Sequence, residues 1–206
     1  DNFHQGEFAP KRDPEYAPRG GNPADEIIPT LQDPDAPVIM TAADGIPEKY
    51  RHPITYFKTA LGLVLLREQI LGRDRFDYAF RNYTHAWAYK HPKPDDFFRS
   101  LENAAGEDLS WFWREWFSHN WTFDIAIAGV EYNGNDYTKG VDVRILNKER
   151  MAFPCILELK CKDGTSRRIT IPIEAWFRGK EIRVHEDLTA ALDSVVLDPD
   201  AALPDS

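Results

Sequence analysis

The chain has 206 residues, of which 42% are hydrophobic and 13% aromatic, so it is long enough to build one or two packed domains. Its formal net charge of -9 argues against a general nucleic-acid-binding surface, because affinity for phosphates comes mainly from Lys and Arg. The longest strictly apolar run, Leu63 to Leu66, is far shorter than the roughly 20 residues that cross a bilayer, so we expect no membrane span.

The first 50 residues contain eight prolines and the pair Gly20-Gly21, which leave little room for helix or strand. We therefore predict a Pro-rich extended segment over 1–50. The chain starts at Asp1 without a Met and shows no signal peptide, and its opening looks like a cut from a longer polypeptide.

Residues 51–120 carry the 3.6-residue period of helices. A buried helix should start at Pro53 and end near Gly72, and a second should cover about 74–89. A third should start at Pro94 and end at Gly106, and a fourth should start at Asp108. A stripe of apolar residues marks the second helix: Phe76, Phe80, Tyr83 and Trp87. Another marks the fourth: Leu109, Phe112, Trp113, Trp116 and Phe117. At this spacing the tryptophans are better explained as core than as a sugar-binding platform.

The pattern changes to period two after Trp121. Six short runs rich in β-branched residues predict strands, separated by turn signals of the hairpin type at 133–136, 162–165 and 178–180. The runs are Val130–Tyr132, Val141–Leu146, Ile156–Cys161, Ile169–Ile173, Ile182–His185 and Val195–Leu197. The predicted fold is therefore α+β, with an all-α helical lobe (51–120) followed by an antiparallel β-sandwich domain (121–206).

Metal ligands are sparse in this sequence. There is no H-E-x-x-H, and no two of the six histidines stand four residues apart, so we expect no metal site within the chain. Cys155 and Cys161 fall on one predicted strand about 20 Å apart and cannot pair. The acidic residues Asp198, Asp200 and Asp205 are better explained as a turn than as calcium ligands.

Several motifs resemble those of the aminopeptidase N-like gluzincin zinc metallopeptidases. They are Tyr-x-Lys at Tyr56, Pro-x-Pro-x-Asp-Phe from Pro92, and Leu-Ser-Trp-Phe-Trp-Arg-Glu-Trp-Phe from Leu109. The resemblance continues through Phe153-Pro154, Pro172–Trp176 and Val195–Asp200, which are similar to exported bacterial members. It covers roughly 37–205.

The resemblance implies that the chain is a C-terminal fragment of a zinc-dependent aminopeptidase, which hydrolyses N-terminal peptide bonds. The zinc ligands would lie outside this chain, so the fragment alone should bind no cofactor and be inactive. Its partners would be the peptide substrate and the upstream catalytic lobe of the same polypeptide, and the parent enzyme would be periplasmic or secreted.

In that family the Tyr of Tyr-x-Lys hydrogen-bonds the oxyanion of the reaction, and this role carries over to Tyr56 alone. Phe57 and Thr59 depart from the family, where Glu and Gly are commoner. Alternatively, Tyr56 packs its ring at the start of a helix and leaves its hydroxyl in water. The alternative for the whole chain is a non-catalytic β-sandwich protein that binds a peptide or glycan.

Overall fold

The structure, a computed structural model, describes residues 23–203. Some residues of the sequence predictions lie outside this range, among them Pro10, Pro14, Pro18 and Asp205. Within residues 23–203 no helix is long and apolar enough to cross a membrane.

The segment expected to be extended contains helical structure. Helix α1 (Pro23–Leu31) forms despite the internal Pro29, and a single 3₁₀ turn follows at Ala43–Gly45, while 32–42 are irregular. Ile27 of α1 is fully buried in the main core, so tertiary contacts stabilise a helix that local propensity disfavours. The extended conformation expected over 23–31 was therefore wrong.

The lobe contains the four predicted helices. Helix α2 runs without interruption over 48–70, through Glu48–His52, Pro53–Lys58, Thr59–Leu65 and Leu66–Ile70, and its second and fourth parts are π-helical. It starts at Glu48, before the predicted start at Pro53. A wide turn begins at Pro53, which lacks the N–H that a regular turn would use.

The other three helices agree closely with prediction. Helix α3 is Arg73–Trp87, helix α4 is Pro94–Ala105, and helix α5 covers 110–117 as Ser110–Phe112 and the π-helical Trp113–Phe117. Gly106 ends α4 in the left-handed conformation at φ 67°, which only glycine adopts without strain.

Aromatic side chains fill the space between α3, α4 and α5. The rings of Phe98 and Trp113 stack with centroids 4.6 Å apart, and Tyr83 meets Phe97 edge-on at 4.8 Å. The three tryptophans of the motif that begins at Leu109 are all buried. As predicted, they belong to the core.

Six antiparallel strands form two three-stranded sheets, in the orders β1-β2-β5 and β4-β3-β6. Their bounds are β1 Ile125–Tyr132, β2 Val141–Asn147, β3 Cys155–Cys161, β4 Ser166–Ile171, β5 Glu181–Glu186 and β6 Leu192–Leu197. The turns at 133–136 and 162–165 lie in hairpins, as predicted.

The third predicted hairpin is wrong. Residues 178–180 connect β4 to β5, which lie in different sheets, because β5 pairs with β2 and places Val184 opposite Val143. A 3₁₀ helix, Ile173–Arg178, carries the chain across.

One core joins the lobe to both sheets. Val143 of β2, Leu157 of β3 and Trp116 of α5 belong to the same buried cluster, and the ring of Phe153 lies 5.9 Å from that of Trp116. The α+β class is confirmed, with the helical region preceding the strands. The sandwich arrangement and the boundaries at 50 and 120 stay predictions.

Candidate functional site

Tyr56 lies on the outward face of α2, in its first π-helical turn. Its side chain is 63% exposed, and its ring stacks on that of His52 with centroids 5.5 Å apart. Ile54 and Lys58, two residues to either side, are buried. Because successive helical residues are about 100° apart, burial of these neighbours turns the phenol toward the solvent.

Lys58 points inward and contacts the fold rather than the solvent. Its ammonium group donates a 2.9 Å hydrogen bond to Oδ1 of Asn120 and a longer one, 3.4 Å, to the backbone oxygen of His119. Burial lowers the pKa of Lys58 to about 8. Lys58 thus ties α2 to the chain that leaves α5, and it is not positioned to share chemistry with Tyr56.

The opposite side of the same turn packs tightly on α5. The indole Nε1 of Trp116 donates a 2.9 Å hydrogen bond to the backbone oxygen of Lys58. A Cβ added to Gly62 would lie 2.6 Å from the indole Cδ1 and closer still to Nε1, so only glycine permits this approach. Sequence reasoning did not find this contact, since Gly62 stands in an apolar run without any turn signal.

A small second cluster holds the beginning of α2. Ala36, Ile46, Tyr50 and Ile54 are buried together, and the hydroxyl of Tyr50 donates a 2.7 Å hydrogen bond to Oδ2 of Asp33. That hydrogen bond is the main cause that lowers the pKa of Asp33 below its usual value. The turn that carries Tyr56 is therefore held on both sides.

An apolar groove of about 550 Å³ lies along the next part of α2. Thr59 and Leu63 line it, with aromatic residues of α3, α4 and α5 opposite. Thr59 and Leu63 follow Tyr56 by three and seven residues, which places all three on one helix face. The groove itself suits an apolar side chain, and Tyr56 is not among the residues that line it.

The described part of the chain does not fit a zinc site. Nowhere in 23–203 do three or more His, Cys, Asp or Glu side chains converge to hold a metal ion. Two histidines are engaged elsewhere: His119 Nδ1 lies 2.8 Å from the backbone oxygen of Arg114, and His185 Nδ1 lies 2.9 Å from Oδ1 of Asp142.

The remaining candidates are structural. Asp198 accepts hydrogen bonds from the backbone N–H groups of Ala202 and Leu203, which is turn geometry. Cys155 and Cys161 are free thiols buried on β3, and burial raises the pKa of Cys155 to about 12.

Comparison with known proteins finds a family whose model matches part of the chain. Residues 31–116 match the family described as Peptidase family M1 domain. The solved structure of Legionella pneumophila aminopeptidase A in complex with aspartic acid is similar with a TM-score of 0.53 and 16% sequence identity. The match covers 74% of this chain but only 17% of that one, and at this identity it concerns the fold. No curated protein matches the sequence.

Proposed function

We propose that this chain, whose residues 31–116 match the Peptidase family M1 domain, is the C-terminal portion of a zinc-dependent aminopeptidase that hydrolyses N-terminal peptide bonds. The observation that carries the proposal is the family match over the helical lobe, within which Tyr56 presents its hydroxyl outward. The lobe would be 51–120 and the β-sandwich domain 121–206, with the Pro-rich segment 1–50 ahead of them.

The proposed role of Tyr56 is to donate a hydrogen bond to the oxyanion of the tetrahedral intermediate. A phenol is a neutral donor near pH 7, and its position on a helix anchored through Lys58 and Tyr50 favours a fixed orientation. Donors preorganised in this way are worth roughly 3 to 4 kcal/mol in the transition state. The exposure of the ring supports this role over that of a packing residue.

The chain by itself should be inactive. Since 23–203 offer no metal-binding cluster, we place the zinc ligands in an upstream catalytic lobe of the same polypeptide, which would also bind the peptide substrate. From the resemblance to exported bacterial members, we propose that the parent enzyme works in the periplasm or outside the cell.

The first experiment compares the 206-residue chain with a longer polypeptide that includes the sequence encoded upstream of Asp1. The upstream sequence should contain H-E-x-x-H and a later Glu, and only the longer protein should hydrolyse aminoacyl p-nitroanilides. Unrelated upstream sequence would favour the non-catalytic binding protein. Full hydrolysis by the short chain in the presence of a chelator would refute the proposal.

The second experiment tests Tyr56 in the longer protein. Tyr56→Phe removes only a solvent-facing hydroxyl, so the fold should be unchanged while kcat falls roughly 100- to 1,000-fold. Tyr78→Phe is the matched control, because Tyr78 lies on α3 and is 60% exposed, almost as much as Tyr56. Equal kcat values for the two variants would remove the assignment.

A further inference from the structure

A second cleft, of about 620 Å³, opens far along the chain from Tyr56. Its walls are the last part of α5, the end of β2 with the loop that follows it (147–152), and the end of the 3₁₀ helix with the residues that lead to β5 (176–180). We call it the basic cleft. Its volume lies within the range of small-ligand sites, and the role proposed for Tyr56 does not involve it.

Four cations line this cleft in a chain whose net charge is -9: Arg114, Arg150, Arg178 and Lys180. Among the described residues no carboxylate pairs with Arg150, Arg178 or Lys180. Lys180 donates only to the backbone oxygen of Lys148, at 3.4 Å. Positive charge is therefore in excess here, because three of the four cations have no carboxylate partner within 23–203.

Two acids also line the cleft, and one of them is already engaged. Glu115 is buried, with one oxygen accepting a 3.1 Å hydrogen bond from the backbone N–H of Ala152 and the other 3.4 Å from Arg114. Burial is the main cause that raises the pKa of Glu115. Glu149 is exposed, so one accessible carboxylate faces four cations.

Aromatic side chains give the cleft apolar walls. Phe177 is 63% exposed, which is unusual for so large an apolar side chain, whereas Trp176 is buried and fixed by a 3.0 Å hydrogen bond from Nε1 to the backbone oxygen of Phe153. The guanidinium of Arg150 lies 6.0 Å from the ring centroid of Trp121. A ligand for this surface needs negative charge and an apolar group together.

We propose that the basic cleft binds a short acidic peptide segment that carries an aromatic side chain. Guanidinium groups pair with carboxylates through two parallel hydrogen bonds, and Arg150 and Arg178 have that capacity free. The aromatic side chain of the ligand would pack on Phe177. A nucleic acid fits poorly, because the overall charge of -9 repels a long polyanion beyond the cleft.

The test is calorimetric titration of the full chain with acetyl-Glu-Phe-Glu-amide and with acetyl-Gln-Phe-Gln-amide, which has the same shape but no charge. The acidic peptide should bind at least about tenfold more tightly, and its affinity should fall as salt is raised. The double variant Arg150→Ala with Arg178→Ala should weaken binding of the acidic peptide by about tenfold or more.

The matched control is Arg99→Ala with Lys162→Ala, which removes two exposed cations outside the cleft and changes the net charge equally. It should change the affinity less than about twofold, since long-range charge is screened by salt. An equal loss in both double variants would overturn the proposal, as would equal binding of the two peptides. Displacement of the acidic peptide by an equal concentration of inorganic phosphate would also overturn it.

A charge-reversal variant distinguishes a loss of binding from a loss of folding. Arg150→Glu with Arg178→Glu should bind acetyl-Lys-Phe-Lys-amide more tightly than the unchanged protein does, by about tenfold. A gain of affinity requires a folded cleft. Failure to gain affinity in a variant with an unchanged melting temperature would count against the site.

Discussion

Replacing Gly62 with Ala should destabilise the protein through one contact between α2 and α5. The new Cβ would lie 2.6 Å from Cδ1 of Trp116, closer than real Cβ contacts come. Trp116 is almost completely buried and its indole Nε1 donates to the backbone oxygen of Lys58, so a movement of the ring away from α2 would break that hydrogen bond. Either the indole or the helix must shift.

The expected change in the free energy of unfolding follows from two destabilising effects and one stabilising effect. Overpacking a core costs about 1 to 3 kcal/mol, and a displaced indole would lose its hydrogen bond, worth about 1 kcal/mol. Alanine in a helix interior regains about 1 kcal/mol over glycine. We therefore expect Gly62→Ala to lower the free energy of unfolding by about 1 to 3 kcal/mol, although an exposed helical glycine would show the opposite sign.

Urea unfolding followed by circular dichroism measures this change. Gly45→Ala is the control, because a Cβ there would meet only Cγ2 of Thr41 at an ordinary 3.5 Å, and we expect a change within about 0.5 kcal/mol. In a Trp116→Phe background the clash with the indole nitrogen is gone while a ring carbon remains, so Gly62→Ala should then cost less than it does beside Trp116. A stabilising Gly62→Ala, or the same cost in both backgrounds, would refute the reasoning.

Three further predictions concern charged and thiol groups. The pKa of Lys58 is about 8 in the folded protein and 10.5 in the unfolded chain. Between pH 8 and pH 10.5 the unfolded state therefore binds more protons than the folded state. The free energy of unfolding, measured relative to that of Lys58→Met, should therefore rise by about 3 kcal/mol from pH 8 to 10.5. A difference between the two proteins that does not change with pH would contradict the burial of the Lys58 ammonium group. Cys155 and Cys161 should resist Ellman's reagent at pH 8 in the native protein and both react in guanidinium, whereas fast native labelling would show that β3 is open. Arg67 makes two parallel hydrogen bonds to Asp77, of 2.7 and 2.9 Å, so Arg67→Lys should lower the thermal midpoint and Asp77→Asn should lower it similarly. The effect of Asp77→Asn should fade as the pH falls toward 4 and below, because Arg67 lowers the pKa of Asp77.

Local signals predicted most of the secondary structure. Pro94 and Gly106 bound α4, and the apolar stripe from Leu109 to Phe117 is the buried face of α5. The six strands came from period-two runs, although their ends moved by several residues in places. These features depend on neighbours within a few positions, which a sequence shows directly.

Pairing between distant segments was less predictable. The turn at 178–180 has the composition of a hairpin, yet β5 pairs with β2 because Val184 and Ile182 complete the buried face beside Val143 and Ile145. Helix α1 forms where prolines predicted extended chain, because burial of Ile27 outweighs local propensity. The role of Tyr56 came from the family resemblance and stays a prediction.

The sequence by itself determined which residues are apolar, at what period they recur and where helices end, since these are properties of short segments. Only the tertiary structure decided what each buried face meets. It placed the ammonium of Lys58 on Asn120, brought Gly62 against Trp116, and gathered Arg150 and Arg178 into one cleft. The physical reason is that periodicity specifies burial but not the partner, and these partners are tens of residues away along the chain.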